Sequence, residues 1–213
     1  MKEYHKIQTV FLRTPESKFK TLMEGHWALP EFELLKDVQW VWSEKIDGTN
    51  IRIMWDGEQV RFGGRTDDAH IPSFLLNVLQ EKFTPSLLRA VFKDAKAVCI
   101  YGEGYGHKIQ KGEHYIANGC DFILFDVLVD GWWLTRSNLE DVSTKMNIAI
   151  VPLIGKGTLM EAIDFVKKGF TSTIAQNKAY VAEGLICKPA IELFNRQGTR
   201  IVAKIKHRDF IGK

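Results

Sequence analysis

The chain has 213 residues, of which 45% are hydrophobic and 26% charged. This is a globular composition that excludes a disordered, collagenous or small disulfide-stapled protein. The length suits a single domain with a sizeable core. A formal net charge of +3 permits a polyanionic partner without requiring one.

Taken in chain order, the first 36 residues offer no pattern that carries chemistry. Strand-like runs rich in β-branched and aromatic residues then follow: VQWVW (38–42), IRIMW (51–55) and QVRF (59–62). The last two flank Asp56-Gly57, a strong short-range hairpin signal. SFLLNVLQEKF (73–83), and SLLRAVFKDA after Thr84-Pro85, space their apolar residues by three and four and predict two short helices. AVCIYGE (97–103) reads as a strand, and FILFDVLV (122–129) runs through Asp130-Gly131 into WWL as a second hairpin. Ser137-x-x-Glu140 and Thr158-x-x-Glu161 each have the form of a capping box opening a helix. GLICKP (184–189) and RIVAKIK (200–206) are the last strand candidates. The expected fold class is therefore α+β, with antiparallel sheets and interspersed helices in one domain over 1–213. The irregular order argues against a Rossmann fold. GEGYG (102–106) is not G-x-G-x-x-G, and no G-x-x-x-x-G-K-[ST] occurs, so neither familiar phosphate-cradling loop is present.

Three widely spaced cysteines without a C-x-x-C pair (Cys99, Cys120, Cys187) read as free thiols of a reducing compartment. The histidines form no zinc-ligand cluster. No apolar run reaches 18 residues and no leader is visible, so a cytoplasmic location without membrane is expected. His107, Lys108 and Lys111 form a basic loop. The tryptophans suit strand cores.

The segment with most chemical content is Glu44-Lys45-Ile46-Asp47-Gly48-Thr49-Asn50. Taken singly, a lysine at a strand end is a solvated residue and Asp-Gly-Thr a plain turn. The polar residues that follow change the reading: Arg65 after Gly63-Gly64, Glu103 closing a strand, Phe125-Asp126 within one, Glu183-Gly184 opening another, and Lys204-x-Lys206 ending the last. The two-residue spacing sends Lys204 and Lys206 to one face of their strand. Two ammonium groups in one pocket repel unless an anion such as a polyphosphate lies between them.

K-x-D-G-x-N, G-R, the strand-borne Glu, F-D, E-G-L-x-x-K-P and K-x-K, in this order, resemble the collinear motifs of the covalent nucleotidyltransferase superfamily. That superfamily comprises ATP-dependent DNA ligases, RNA ligases and capping enzymes. Asn50 resembles the RNA ligases, in particular the second, nick-sealing type. The resemblance spans about residues 36–210. It implies an adenylation domain of two antiparallel sheets flanked by helices, with the nucleotide between them. By the same resemblance Lys45 is the nucleophile that becomes lysyl-AMP, Glu44 reads the adenine amino group, and Phe125 stacks on the base. Glu103 takes the ribose hydroxyls, and Asn50 and Arg65 hold sugar and phosphate. Lys204 and Lys206 bind the α-phosphate, and Lys188 contacts a phosphate. Asp47, Glu103 and Glu183 hold Mg²⁺, with Mn²⁺ as an alternative. ATP is the expected cofactor. The expected partners are nucleic acids with 5′-phosphate and 3′-hydroxyl ends, RNA before DNA.

The family's appended OB-fold or helical domain has no counterpart after Lys206. The expectation is a minimal ligase, or a catalytic domain working with a partner protein that supplies substrate-binding surface. Two other readings stand beside it. One is a minimal DNA ligase or other polynucleotide nucleotidyltransferase, against which Asn50 speaks. The other is a nucleotide- or RNA-binding module without sealing activity, which would not need Lys45.

Overall fold

Residues 3–211 are described by a computed structural model. In chain order its strands are β1 (Gln8–Thr9), β2 (Phe11–Arg13), β3 (Leu22–Trp27), β4 (Trp40–Glu44), β5 (Thr49–Trp55), β6 (Val60–Gly63), β7 (Val98–Gly106), β8 (Cys120–Val129), β9 (Trp132–Trp133), β10 (Ala149–Ile150), β11 (Leu153–Gly157), β12 (Gly184–Pro189) and β13 (Ala203–Lys206). Its α-helices are α1 (Pro30–Leu34), α2 (Ser73–Lys82), α3 (Pro85–Val91), α4 (Arg136–Met146) and α5 (Leu159–Lys168). The mixed α+β class expected from the sequence is the one observed. The chain divides into two compact units.

One unit contains residues 47–151, with small additions around Tyr4 and at 175–177. Its sheet runs β10-β8-β7-β5-β6, with β9 paired to β8. Both expected hairpins form. In the first, Gly57 takes φ 95° while Asp56 Oδ1 accepts from the backbone of Glu58 and Gln59. In the second, Asp130 and Gly131 both take positive φ, as a tight primed turn requires. Along β5 and β7 one face is apolar from Ile51 onward. Ile51, Ile53, Trp55, Val98 and Ile100 join Phe122, Leu124 and Val127 of β8 under Leu75 and Leu79 of α2 and Leu88 of α3. Each such fully buried aliphatic side chain is worth about 1.5–3 kcal/mol of transfer free energy. The opposite face carries the polar residues Asn50, Arg52 and Glu103, as the period of two dictates.

The other unit contains residues 5–46, 152–174 and 178 onward. Its sheet runs β1-β13-β12-β4-β11. Trp40, Trp42, Leu185, Cys187, Ala203 and Ile205 pack on Leu159, Ile163 and Val166 of α5. The capping box expected at Thr158 is formed: Thr158 Oγ1 accepts from the Glu161 N–H, and Glu161 reaches back to the Thr158 N–H. The N-terminal segment adds Val10, Phe11, Leu22 and Phe32 to the same core.

Three details depart from the sequence reading. Each main sheet ends in a parallel edge pair, β1 with β13 and β10 with β8, so neither is wholly antiparallel. Helix α4 starts two residues earlier than its motif suggested. Thr135 is its N-cap without a side-chain cap bond, and Glu140 pairs with Arg136 instead of reaching back to Ser137. The last strand begins at Ala203, not at residue 200, because Arg200 bridges to Phe194 and Ile201 donates to the Leu193 carbonyl.

Candidate active site

The strand order decides which motif residues meet. β12 lies between β4 and β13, with Ile186 opposite both Ser43 and Lys204 and Gly184 opposite Lys206. The ladder extends one step past each neighbour: Lys45 N–H donates to the Gly184 carbonyl and His207 N–H to the Glu183 carbonyl. Lys45, which ends one flank, and Lys206, on the other, therefore share the face of Gly184, Ile186 and Lys188. Glu183 Oε2 accepts from Lys45 Nζ at 2.5 Å, and Glu183 Oε1 pairs with Lys206 Nζ at 2.7 Å. The carboxylate is one-tenth exposed and each lysine less than one-fifth. Glu183 is thus the anion between Lys45 and Lys206. Burial pushes the Glu183 carboxyl up, but the neighbouring Lys45 and Lys206 outweigh it and hold it below its ordinary value.

Gly184 is what allows this approach. At φ 149° a Cβ there would lie 1.9 Å from the Ile205 carbonyl oxygen, inside β13. Lys204 sits on the face of Lys206, opposite Thr9 of β1. Lys188, half-buried, lies opposite Val41. Glu44 points to the other face and is 1% exposed. Its Oε1 accepts from Ser172 Oγ at 2.5 Å and its Oε2 from the Thr173 N–H and hydroxyl at 2.9 and 2.7 Å. Ser172 and Thr173 escaped the sequence reading because no local pattern marks them.

The remaining motif residues belong to the other unit. Asp47 is fixed through its backbone N–H, which donates to the Tyr115 hydroxyl at 3.1 Å. Gly48 lies so close to β7 that a Cβ would meet the Gly104 carbonyl oxygen at 2.3 Å and Glu103 Cγ at 2.8 Å. Asn50 stands opposite Glu103, and its buried Oδ1 finds no donor among the described residues. That orphaned acceptor suits a ligand hydroxyl. Arg65 is exposed on the turn after β6. That turn is anchored from below by Arg52, a fully buried cation that sequence reasoning passed over inside IRIMW. Its Nε donates to the Gly64 carbonyl at 2.7 Å and its Nη2 to Asp67 Oδ1 at 2.6 Å. Phe125 is the unpaired residue of a β-bulge, since Leu124 and Asp126 oppose the consecutive Gly102 and Tyr101. Bulges re-aim side chains in this way, and Phe125 stays partly exposed, its ring edge-to-face with Tyr4 at a centroid separation of 5.1 Å. Asp126 is buried and accepts from the Tyr4 hydroxyl at 2.7 Å.

Among the described residues no three His, Cys, Asp or Glu side chains stand close enough to cage a metal ion. The expected ligands Asp47, Glu103 and Glu183 are all carboxylates, the oxygen donors that Mg²⁺ takes beside its waters.

The mixed α+β fold is that of the RNA ligase nucleotidyltransferases. The model of the RNA ligase family matches residues 38–206, and the chain belongs to that family. Among solved structures it is similar to a Naegleria gruberi RNA ligase mutant with ATP and Mn. That match has a TM-score of 0.65 and 16% identity over 97% of this chain and 59% of the other. A second mutant of that ligase, with AMP and Mn, matches at 0.63 and 16% over 96% and 57%. The same ligase with PPi matches at 0.65 and 16% over 98% and 58%. The chain spans less than two-thirds of the length of these relatives, and at such identity the likeness is one of fold. No helix of the described residues is long and apolar enough to cross a membrane.

Proposed function

We propose that this protein is an ATP-dependent RNA ligase working through a covalent lysyl-adenylate, and that its two units together form one adenylyltransferase domain over 1–213. The observation that carries this reading is Lys45 held against Glu183 and Lys206 within a chain of the RNA ligase family. The Lys45 amine attacks the α-phosphorus of ATP, an N–P bond forms, the bond to pyrophosphate breaks, and the amine gives up its proton. AMP then passes to a nucleic-acid 5′-phosphate, and attack by a 3′-hydroxyl closes the phosphodiester and releases AMP.

In this reading Lys204 and Lys206 balance the charge that develops on the α-phosphate, while Lys188 contacts a further phosphate. Asn50, Arg65 and Glu103 hold sugar and phosphate, Phe125 stacks on the adenine, and Glu44 reads the adenine amino group. Glu183 must release Lys45 before attack. With Asp47 and Glu103 it is then available to Mg²⁺ or Mn²⁺, whose positive charge would neutralise phosphate oxygens. The relatives solved with ATP or AMP and Mn support the choice of cofactors. RNA is favoured over DNA by the family match, a partner protein is the proposed source of further substrate-binding surface, and the free cysteines suit a reducing cytoplasm.

Intact mass after incubation with Mg²⁺ and ATP tests the reading. One AMP is expected on the wild type, none with GTP and none on Lys45→Ala. An unmodified wild type, after stripping with pyrophosphate, would overturn it.

A further inference from the structure

The N-terminal segment, opaque as sequence, is folded against the end of β13 and builds one wall of a groove. The groove has a volume of about 460 Å³ and is lined by Thr9, Arg13, Phe19, Lys20, Lys204, Lys206, Arg208 and Asp209. Five cations thus face a single carboxylate. Asp209 is consumed by Arg13, whose Nη2 lies 2.5 Å from Asp209 Oδ2 and whose Nη1 donates to the Lys20 carbonyl. Arg13 is therefore a strut. Lys20 and Arg208 are exposed and have no ion pair among the described residues.

Phe19 makes this more than a solvated basic face. Its ring is 64% exposed, and the backbone that presents it is costly. Lys18 and Phe19 take φ of 53° and 60° in succession, a left-handed conformation that side chains with a Cβ disfavour. The turn is locked by Ser17, whose Oγ contacts Thr14 Oγ1 at 2.6 Å and accepts from the Lys20 and Thr21 N–H groups. A strained backbone that holds an apolar ring out to solvent returns nothing to the core. An aromatic ring beside a cationic track is, however, the construction that binds single-stranded polynucleotides, with a base on the ring and phosphates on the cations.

We infer that Phe19, Lys20 and Arg208 form a docking site for single-stranded RNA. It takes one unstacked base on Phe19 and backbone phosphates on Lys20 and Arg208, and leads the strand toward Lys204 and Lys206. The inference rests on the ligase reading for the identity of the polyanion. A duplex lacks the free base face, so the single strand is the form selected.

The test is fluorescence anisotropy with a 5′-phosphorylated, 3′-labelled single-stranded RNA over a range of salt, with melting curves and lysyl-AMP formation followed on every protein. Phe19→Ala is expected to weaken RNA binding about tenfold. Lys20→Glu combined with Arg208→Glu is expected to lower the slope of log affinity against log salt by about 1.4, two phosphate contacts' worth. Unchanged affinity and slope in folded variants would overturn the docking site, as would pyrophosphate displacing RNA without any effect of Phe19→Ala. A wild type that forms no lysyl-AMP would sink the ligase reading alone, and the anisotropy series would still decide the groove.

Discussion

At the scale of single residues, Glu183 is the pivot of the proposed chemistry. Its carboxyl is held below the ordinary glutamate value of 4.5 by Lys45 and Lys206 despite burial. A depressed folded-state pKa means that the carboxylate stabilises the fold fully above the unfolded value, and that this contribution disappears as pH falls through the lower folded one. Glu183→Gln, which mimics the protonated form and leaves two ammonium groups facing each other, is expected to cost about 1–2 kcal/mol at pH 7, because the lysines are only partly exposed. In a chain of this size that is about 2–8 °C in Tm. The gap between wild type and variant is expected to hold down to about pH 5 and to close below the ordinary carboxyl range, as read by melting curves across pH. Lysyl-AMP formation is expected to fall about 100-fold or more in the same variant.

At the scale of elements, local chemistry decides some boundaries and long-range pairing decides others. The Thr158 capping box was legible because both its bonds lie within four residues, and it opens the helix that supports β12 and β13. Thr158→Ala should lower stability by about 1 kcal/mol, or about 2–4 °C in Tm, while lysyl-AMP formation by the folded protein stays intact; a calorimetric scan beside an intact-mass assay checks both. The matching motif at Ser137 misled, because Arg136 offers Glu140 a charged partner four residues away on the helix itself. Strands β1 and β11 gave no warning. β1 is two residues long and exists only because Gln8 and Thr9 meet Ala203 and Lys204 at the far end of the chain.

At the scale of the whole molecule, each unit carries its own apolar cluster, and the motif residues are shared out between the units. Ligand binding is the probe that reports on the whole. ATP with Mg²⁺ at about 100 times its Kd should stabilise the native protein by about 2.7 kcal/mol, raising Tm by about 5–10 °C, with no comparable shift from GTP. A thermal-shift titration with both nucleotides measures this.

The α+β class, the two hairpins at Asp56-Gly57 and Asp130-Gly131, the helices over 73–91 and the motif order were all determined by sequence alone, because turns, caps and hydrophobic periods act over a few residues. Tertiary structure alone decided that Glu183 is the anion between Lys45 and Lys206, that Arg52 is buried beneath the turn bearing Arg65, and that Phe19 stands beside Arg208. These partners lie up to 189 residues apart in the chain (208 − 19), where no local preference acts. Which side chains meet is set there by strand order and register, and those are fixed by burial of both apolar faces at once.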